Sequence, residues 1–207
     1  MLEVESRRGG ARCSVLGNRH RGRQADVMSA TVIAELKRLL VTPELAELGP
    51  GPRAGVQSEA ALNLTLDGLL QKSPLPATQQ QLIRALLLLW HDHLAAAHQI
   101  SQAIENADGS FVHAIMHRRE PDYANAKYWW RRVGDHPAFL AIAARVGERL
   151  AARGAGELAQ KLLPDGKWDA PAFVDACAVG KERKWLREIQ LIEFEVLLAR
   201  FARIPDR

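Results

Sequence analysis

Apolar residues recur along this chain at spacings of three and four positions, which is the period of an α-helix, and no alternating strand pattern of useful length is present. The last predicted helix, over 181–203, shows this most clearly. Its apolar stripe consists of Trp185, Leu186, Ile189, Ile192, Val196 and Leu197. The charged positions between them, including Glu188, Glu193 and Glu195, are predicted on a solvated face. The pattern therefore predicts an all-α fold, a single-domain helical bundle of about seven helices over 28–207.

The middle of the chain predicts two adjacent helices joined by a short turn. The helical pattern continues over 78–106, and residues 106–109 then interrupt it. A second helix is predicted over about 110–119 with Asp108 as its cap, and Pro121 separates it from a third over about 122–132. So short a turn favours an antiparallel hairpin, in which residues equally far from the turn lie at the same height.

Charge is distributed unevenly along the chain. The formal net charge is +4, but residues 1–27 contain six arginines against three acidic residues, so the remaining 180 residues are nearly neutral. Residues 1–27 also lack apolar periodicity, which predicts a disordered basic tail, with Met28 as an alternative translation start. A nearly neutral body argues against nucleic acid as a partner.

Several classes of protein are disfavoured by what the sequence lacks. Only two cysteines are present, without a CxxC pair, which favours free thiols and a cytoplasmic protein over a disulfide scaffold or a cysteine zinc site. No apolar run is long enough to cross a membrane. Phosphate-binding glycine loops, a dinucleotide fingerprint and a Gly-x-Ser-x-Gly elbow are also missing, which argues against nucleotide-dependent transfer and serine hydrolysis.

The histidines are concentrated in one window, because six of the seven lie between residues 91 and 136. His113 and His117 are four residues apart on the second hairpin helix, and His98 lies as far before the turn as His117 lies after it. We therefore expect His98, His113 and His117 to converge as ligands of a divalent metal, most simply zinc, with Glu120 or Gln102 at the rim. Three protein ligands would leave a coordination position open, as in catalytic zinc sites.

Two other interpretations of these histidines stay open at the level of sequence. They could be core histidines that hydrogen-bond to neighbouring groups, or they could form a polar pocket without metal. The HExxH pattern is absent, because Ala114, Ile115 and Met116 separate the two histidines of the second helix.

The residues around the histidines suggest partners for a substrate. Asp92 and Glu120 are the candidate catalytic carboxylates, for proton transfer or for orienting the imidazoles. The candidate substrate-binding residues are His91, Arg118, Arg119, Asp122, Asn125 and Tyr128, which together would suit a small polar or anionic molecule.

The same window resembles a family of bacterial and fungal proteins to which no activity is assigned. The resemblance covers roughly residues 80–137. It is carried by Trp90-His91-Asp92-His93-Leu94, by Asp108-Gly109, and by the run from His117-Arg118-Arg119-Glu120 to Lys127-Tyr128-Trp129. It implies that the window is a site and implies nothing about a substrate.

Taken together, these features predict a small-molecule enzyme with a histidine, arginine and carboxylate pocket that performs metal-dependent hydrolysis or acid–base chemistry. The alternative is a non-catalytic protein, which either binds a small ligand or has a purely structural histidine network. The C-terminal helix offers a face for an oligomer.

Overall fold

The structure, a computed structural model, describes residues 31–71 and 73–203 and is all-helical over that part. It has ten α-helices there, more than the seven or so predicted from the sequence. They are α1 (31–38), α2 (Glu59–Leu70), α3 (Ala77–Trp90), α4 (Leu94–Gln102), α5 (Ala107–Arg119), α6 (Tyr123–Val133), α7 (Ala138–Ala151), α8 (Gly156–Leu162), α9 (Ala170–Val179) and α10 (Arg183–Phe201). The tail predicted over 1–27 lies outside the described residues.

One difference from the predicted helices is a break in the run over 78–106. The chain leaves the helix after Trp90, and Asp92 adopts a left-handed backbone with φ of 69°. Its buried carboxylate accepts hydrogen bonds from the backbone and guanidinium of Arg53 and from the guanidinium of Arg119, the guanidinium contacts at 2.5 and 2.6 Å. Apolar periodicity continues on both sides of the break. The prediction of one helix was therefore wrong, because partners distant in sequence determine where it ends.

Helix α5 lies in the middle of the fold and is buried on all sides from Gly109 to Arg119. It packs against α3, α4 and α6. Asn106, rather than Asp108, caps it, and the Asn106 side chain accepts a hydrogen bond from the backbone N–H of Gly109 at 2.8 Å. A Cβ at Gly109 would lie 2.1 Å from the carbonyl oxygen of Ile104, so glycine allows the tight turn that brings α4 against α5.

Helix α10 is the second central element and packs against α3, α7 and α9. Glu193 on this helix is fully buried and pairs with Arg118 of α5, with 2.6 Å between Nη2 and the carboxylate. The prediction that Glu193 faces solvent was wrong, because its partner comes from a helix 75 residues earlier. Most of the apolar stripe of α10 is also buried within the chain, including Leu186, Ile189 and Leu197.

The described residues also bear on the expectations about membrane-spanning helices and cysteines. None of their helices is both long and apolar enough to cross a membrane. Cys177 is a buried free thiol, and burial raises its pKa to about 11. Cys13 lies outside the described part of the chain.

Candidate metal centre

The three histidines predicted as ligands come together between α4 and α5. His98 comes from α4 and is partly exposed, whereas His113 and His117 come from α5 and are buried. One potential ligand nitrogen from each ring lies within 4.8 Å of the other two. The ring centroid of His98 lies 4.7 Å from that of His113 and 5.4 Å from that of His117. His98 is therefore nearer to His113 than to His117, the residue that the hairpin register predicted at its height.

His113 is the most unusual of the three, because neither ring nitrogen has a hydrogen-bond partner among the described residues. Its ring lies between the rings of His117 and Trp129, nearly parallel to both, with centroid distances of 4.7 and 3.9 Å. Burial, together with the charges that His117 and His98 would carry, lowers its pKa to about 3. The imidazole is therefore neutral at physiological pH, and neutral imidazole is the form that binds metal.

His117 is held by two polar neighbours. Its Nδ1 lies 3.0 Å from the Glu120 carboxylate, so an N–H there can donate to Glu120 and leave the lone pair of Nε2 available. The Asn125 side-chain nitrogen lies 3.1 Å from Nε2 and 3.3 Å from Nδ1 of His117, so it contacts both ring nitrogens. Burial lowers the pKa of His117, against the opposing effect of Glu120. The Glu120 contact favours the tautomer whose proton is on Nδ1 and whose lone pair is on Nε2.

The three ligand atoms lie close enough together to share one ion. Nitrogens on a tetrahedral zinc ion at about 2.0–2.1 Å are roughly 3.4 Å apart, and the three nitrogens here lie within 4.8 Å of one another. His98 is the ligand that can adjust most easily, because it is partly exposed whereas His113 and His117 are buried.

The arginines predicted to bind substrate already have buried partners. Arg118 bonds to Glu193 and Gln190, and its guanidinium lies 4.4 Å from the ring centroid of Phe173. Arg119 donates to the carbonyl oxygens of Leu89 and Gly49 and to Asp92. Both side chains are fully buried. A substrate would have to break these bonds to reach either guanidinium.

Asp92 and His91 belong to the same structural network as Arg119. Asp92 lies at the break between α3 and α4, paired with two arginines. His91 accepts a hydrogen bond from the Gln57 backbone at Nδ1 and donates from Nε2 to the Leu39 carbonyl. These contacts connect the segment between α1 and α2 to the end of α3. The structure does not bring either residue into contact with the three histidines.

The remaining predicted residues lie at or near the surface, most of them on α6. Asp122 caps this helix and accepts from the Asn125 backbone at 3.1 Å. Tyr128 is exposed, with the Arg131 guanidinium 5.8 Å from its ring centroid. Gln102 is exposed at the end of α4. Asn125 is therefore the predicted substrate-binding residue that contacts the histidine cluster.

Trp129 belongs to the site, although it was not among the candidate site residues predicted from the sequence. The Trp129 indole covers one face of His113, and the Arg132 guanidinium lies 5.3 Å from the ring centroid of Trp129. The spacing of residues after Pro121 could have identified Trp129, because Asp122, Asn125 and Trp129 share one face of α6.

The chain finds no match among protein-family models, and none among curated proteins or solved structures. The chemistry of the site is therefore inferred from its geometry. Three imidazoles, one of them without any hydrogen-bond partner in the described residues, form a set that could hold a metal ion. A half-exposed carboxylate at Glu120 stands at the edge of this set.

Proposed function

We propose that this protein is a metal-dependent small-molecule enzyme whose ion is held by His98, His113 and His117. The observation that carries the proposal is His113, a buried imidazole whose two nitrogens both lack partners in the described residues. A buried N–H or lone pair without a partner costs about 1–3 kcal/mol, so such a group is uncommon unless something else binds it. Coordination to a metal would satisfy one nitrogen directly.

A zinc-type divalent ion is the best candidate, because imidazole suits it and three protein ligands leave one position open. Water bound at that position would become acidic enough to act as a nucleophile near neutral pH. This chemistry favours hydrolysis of a small polar or anionic molecule in the cytoplasm.

Two residues are assigned roles beside the open position. Glu120, half exposed and 3.0 Å from His117 Nδ1, would orient that imidazole and make its Nε2 a stronger ligand. Asn125 would release His117 Nε2 to the metal and donate its amide to substrate. Asp92, His91, Arg118 and Arg119 would act only indirectly, by fixing the helices that carry the ligands.

A non-catalytic metal-binding protein is the second candidate. The close stacking of Trp129 on His113 favours it, since the indole covers one face of the site and restricts the approach of a substrate. Under this alternative the ion would bind but no turnover would follow.

Metal titration of protein stripped with a chelator tests the ligand set. We expect one Zn²⁺ per chain by calorimetry, and about 2.7 kcal/mol of added stability when free Zn²⁺ is 100 times its Kd. His113→Phe and His117→Gln should abolish the binding. His93→Gln is the matched control, because His93 bonds instead to the Gln57 carbonyl, and this variant should bind like the parent.

Turnover separates the two candidates. The parent loaded with Zn²⁺ should hydrolyse 4-nitrophenyl acetate faster than the stripped protein, and Glu120→Gln should slow this reaction while retaining the metal. Binding without zinc-dependent hydrolysis would favour the non-catalytic alternative. Absence of any binding by Zn²⁺, Co²⁺, Ni²⁺ or Cu²⁺ would refute both.

A further inference from the structure

A cleft lies apart from the histidines, among α1, α3, α7, α10 and the start of α5. Its volume is about 570 Å³, which falls in the range of small-molecule sites. The apolar part of its lining includes Ala138, Val196 and Phe201. None of the three histidines of the candidate metal centre lines it.

The polar lining of this cleft is biased towards positive charge. Four cationic side chains line it against two carboxylates; they are Lys37, Arg145, Arg200 and Arg203, with Asp108 and Glu195. Both carboxylates are already neutralised by arginines. Arg145 pairs with Glu195, and Arg200 Nε lies 2.7 Å from Asp108.

The Asp108 carboxylate is also hydrogen-bonded to His136, whose Nε2 lies 2.9 Å from the same oxygen that Arg200 contacts. An incoming anion therefore does not face a free negative charge at this end of the cleft. Lys37 and Arg203 have no carboxylate within 4 Å in the described part of the chain. These two side chains are the surplus positive charge.

An unpaired acceptor lies in the same lining. Gln79 donates its amide N–H to the Arg203 carbonyl at 3.1 Å, but its Oε1 is buried and has no donor among the described residues. A hydroxyl or N–H on a bound molecule would satisfy this oxygen.

We propose that this cleft binds a small organic anion with an apolar body, its acidic group held by Lys37 and Arg203 and its apolar part packed on Val196 and Phe201. The proposal is independent of the metal centre. It assigns the site to a carboxylate, sulfonate or phosphate ester, and excludes organic cations by charge.

Fluorescence titration with 1-anilinonaphthalene-8-sulfonate tests this assignment, with the uncharged N-phenyl-1-naphthylamine as the apolar comparison. We expect saturable binding of one sulfonate per folded chain, at least tenfold tighter than the uncharged probe. The double variant Lys37→Glu/Arg203→Glu should weaken sulfonate binding at least tenfold. Both side chains are exposed, so their replacement should not prevent folding.

Two further variants make the result specific to the cleft. Lys161→Glu/Lys181→Glu changes the net charge equally at exposed positions outside it and should bind the sulfonate like the parent. Ala141→Trp fills the cleft from its exposed rim and should block both probes. Equal affinity for the two probes, or unchanged sulfonate binding in the Lys37/Arg203 or Ala141 variants, would overturn the proposal.

Discussion

The buried neutral His113 should make the metal-free protein unusually sensitive to mild acid. Its pKa is about 3 in the folded state and about 6.5 in the unfolded chain. Between these two values the unfolded state binds a proton that the folded state does not. The free energy of unfolding therefore falls as the pH falls from 6.5 towards 3, and recovers as the pH rises.

The magnitude follows from the size of this shift. One pKa unit corresponds to about 1.4 kcal/mol, so acidification to pH 5 should cost about 2 kcal/mol through His113. This is a large fraction of the 5–15 kcal/mol that holds a typical domain folded. The pKa of His117 is also lowered by burial, so it adds to the same trend.

Urea denaturation at pH 7, 6 and 5, followed by circular dichroism in the presence of a chelator, measures the effect. His113→Phe keeps a flat ring between Trp129 and His117 but removes the titrating group. Its loss of stability between pH 7 and 5 should be smaller than that of the parent by about 2 kcal/mol.

The control for this experiment is His93→Gln, which alters a histidine outside the cluster and should keep the acid sensitivity of the parent. If His113→Phe loses as much stability as the parent on acidification, then His113 is not the buried neutral group that the structure describes.

Three further predictions concern the framework around the site. Removing one partner of the buried Arg118–Glu193 pair, as in Glu193→Ala, should cost about 3–5 kcal/mol in urea denaturation. The double variant Arg118→Met/Glu193→Leu should lower the free energy of unfolding by less than Glu193→Ala does, because it leaves no unpaired charge. A loss equal to the sum of the losses in Arg118→Met and Glu193→Leu would contradict this. Burial opposes ionisation of Asp108, but hydrogen bonds from His136 and Arg200 outweigh it and lower the pKa of this carboxyl. Asp108→Asn should therefore lower the free energy of unfolding at pH 7. This loss should vanish as the pH falls through the folded pKa of Asp108. Gly109→Ala should lower the thermal midpoint by several degrees, since its Cβ would clash with the Ile104 carbonyl, whereas Gly68→Ala in open space on α2 should be neutral or stabilising.

The helical class and the histidine register could be predicted from the sequence because both depend on local periodicity. A residue in a helix turns by about 100°, so positions 113 and 117 share a face wherever that helix lies. The turn was predicted at 106–109 and lies over 103–106 in the structure, between α4 and α5, and it places His98 opposite them. The structure confirms that these three rings come together.

The contacts of the charged residues could not be predicted in this way, because they depend on partners distant in sequence. Arg118 is adjacent to His117 in the chain, yet its partner Glu193 lies on α10. Asp92 interrupts a helix whose apolar pattern does not change, because Arg53 and Arg119 meet its carboxylate there. Periodicity reports which face of a helix is apolar and contains no information about which charge will be buried against it.

The sequence by itself determined that the chain forms helices and that three histidines on two neighbouring helices come together, since short-range geometry suffices for both. Only the tertiary structure decided which of the neighbouring polar residues face those histidines. The Arg118 side chain extends from α5 to Phe173 of α9 and Glu193 of α10 and is buried there. Packing of α6 against α5 brings Trp129 and Asn125 to the imidazoles. The physical reason is that a buried charge requires a counter-charge, and the residue that provides the counter-charge is usually distant in sequence, so local patterns do not reveal it.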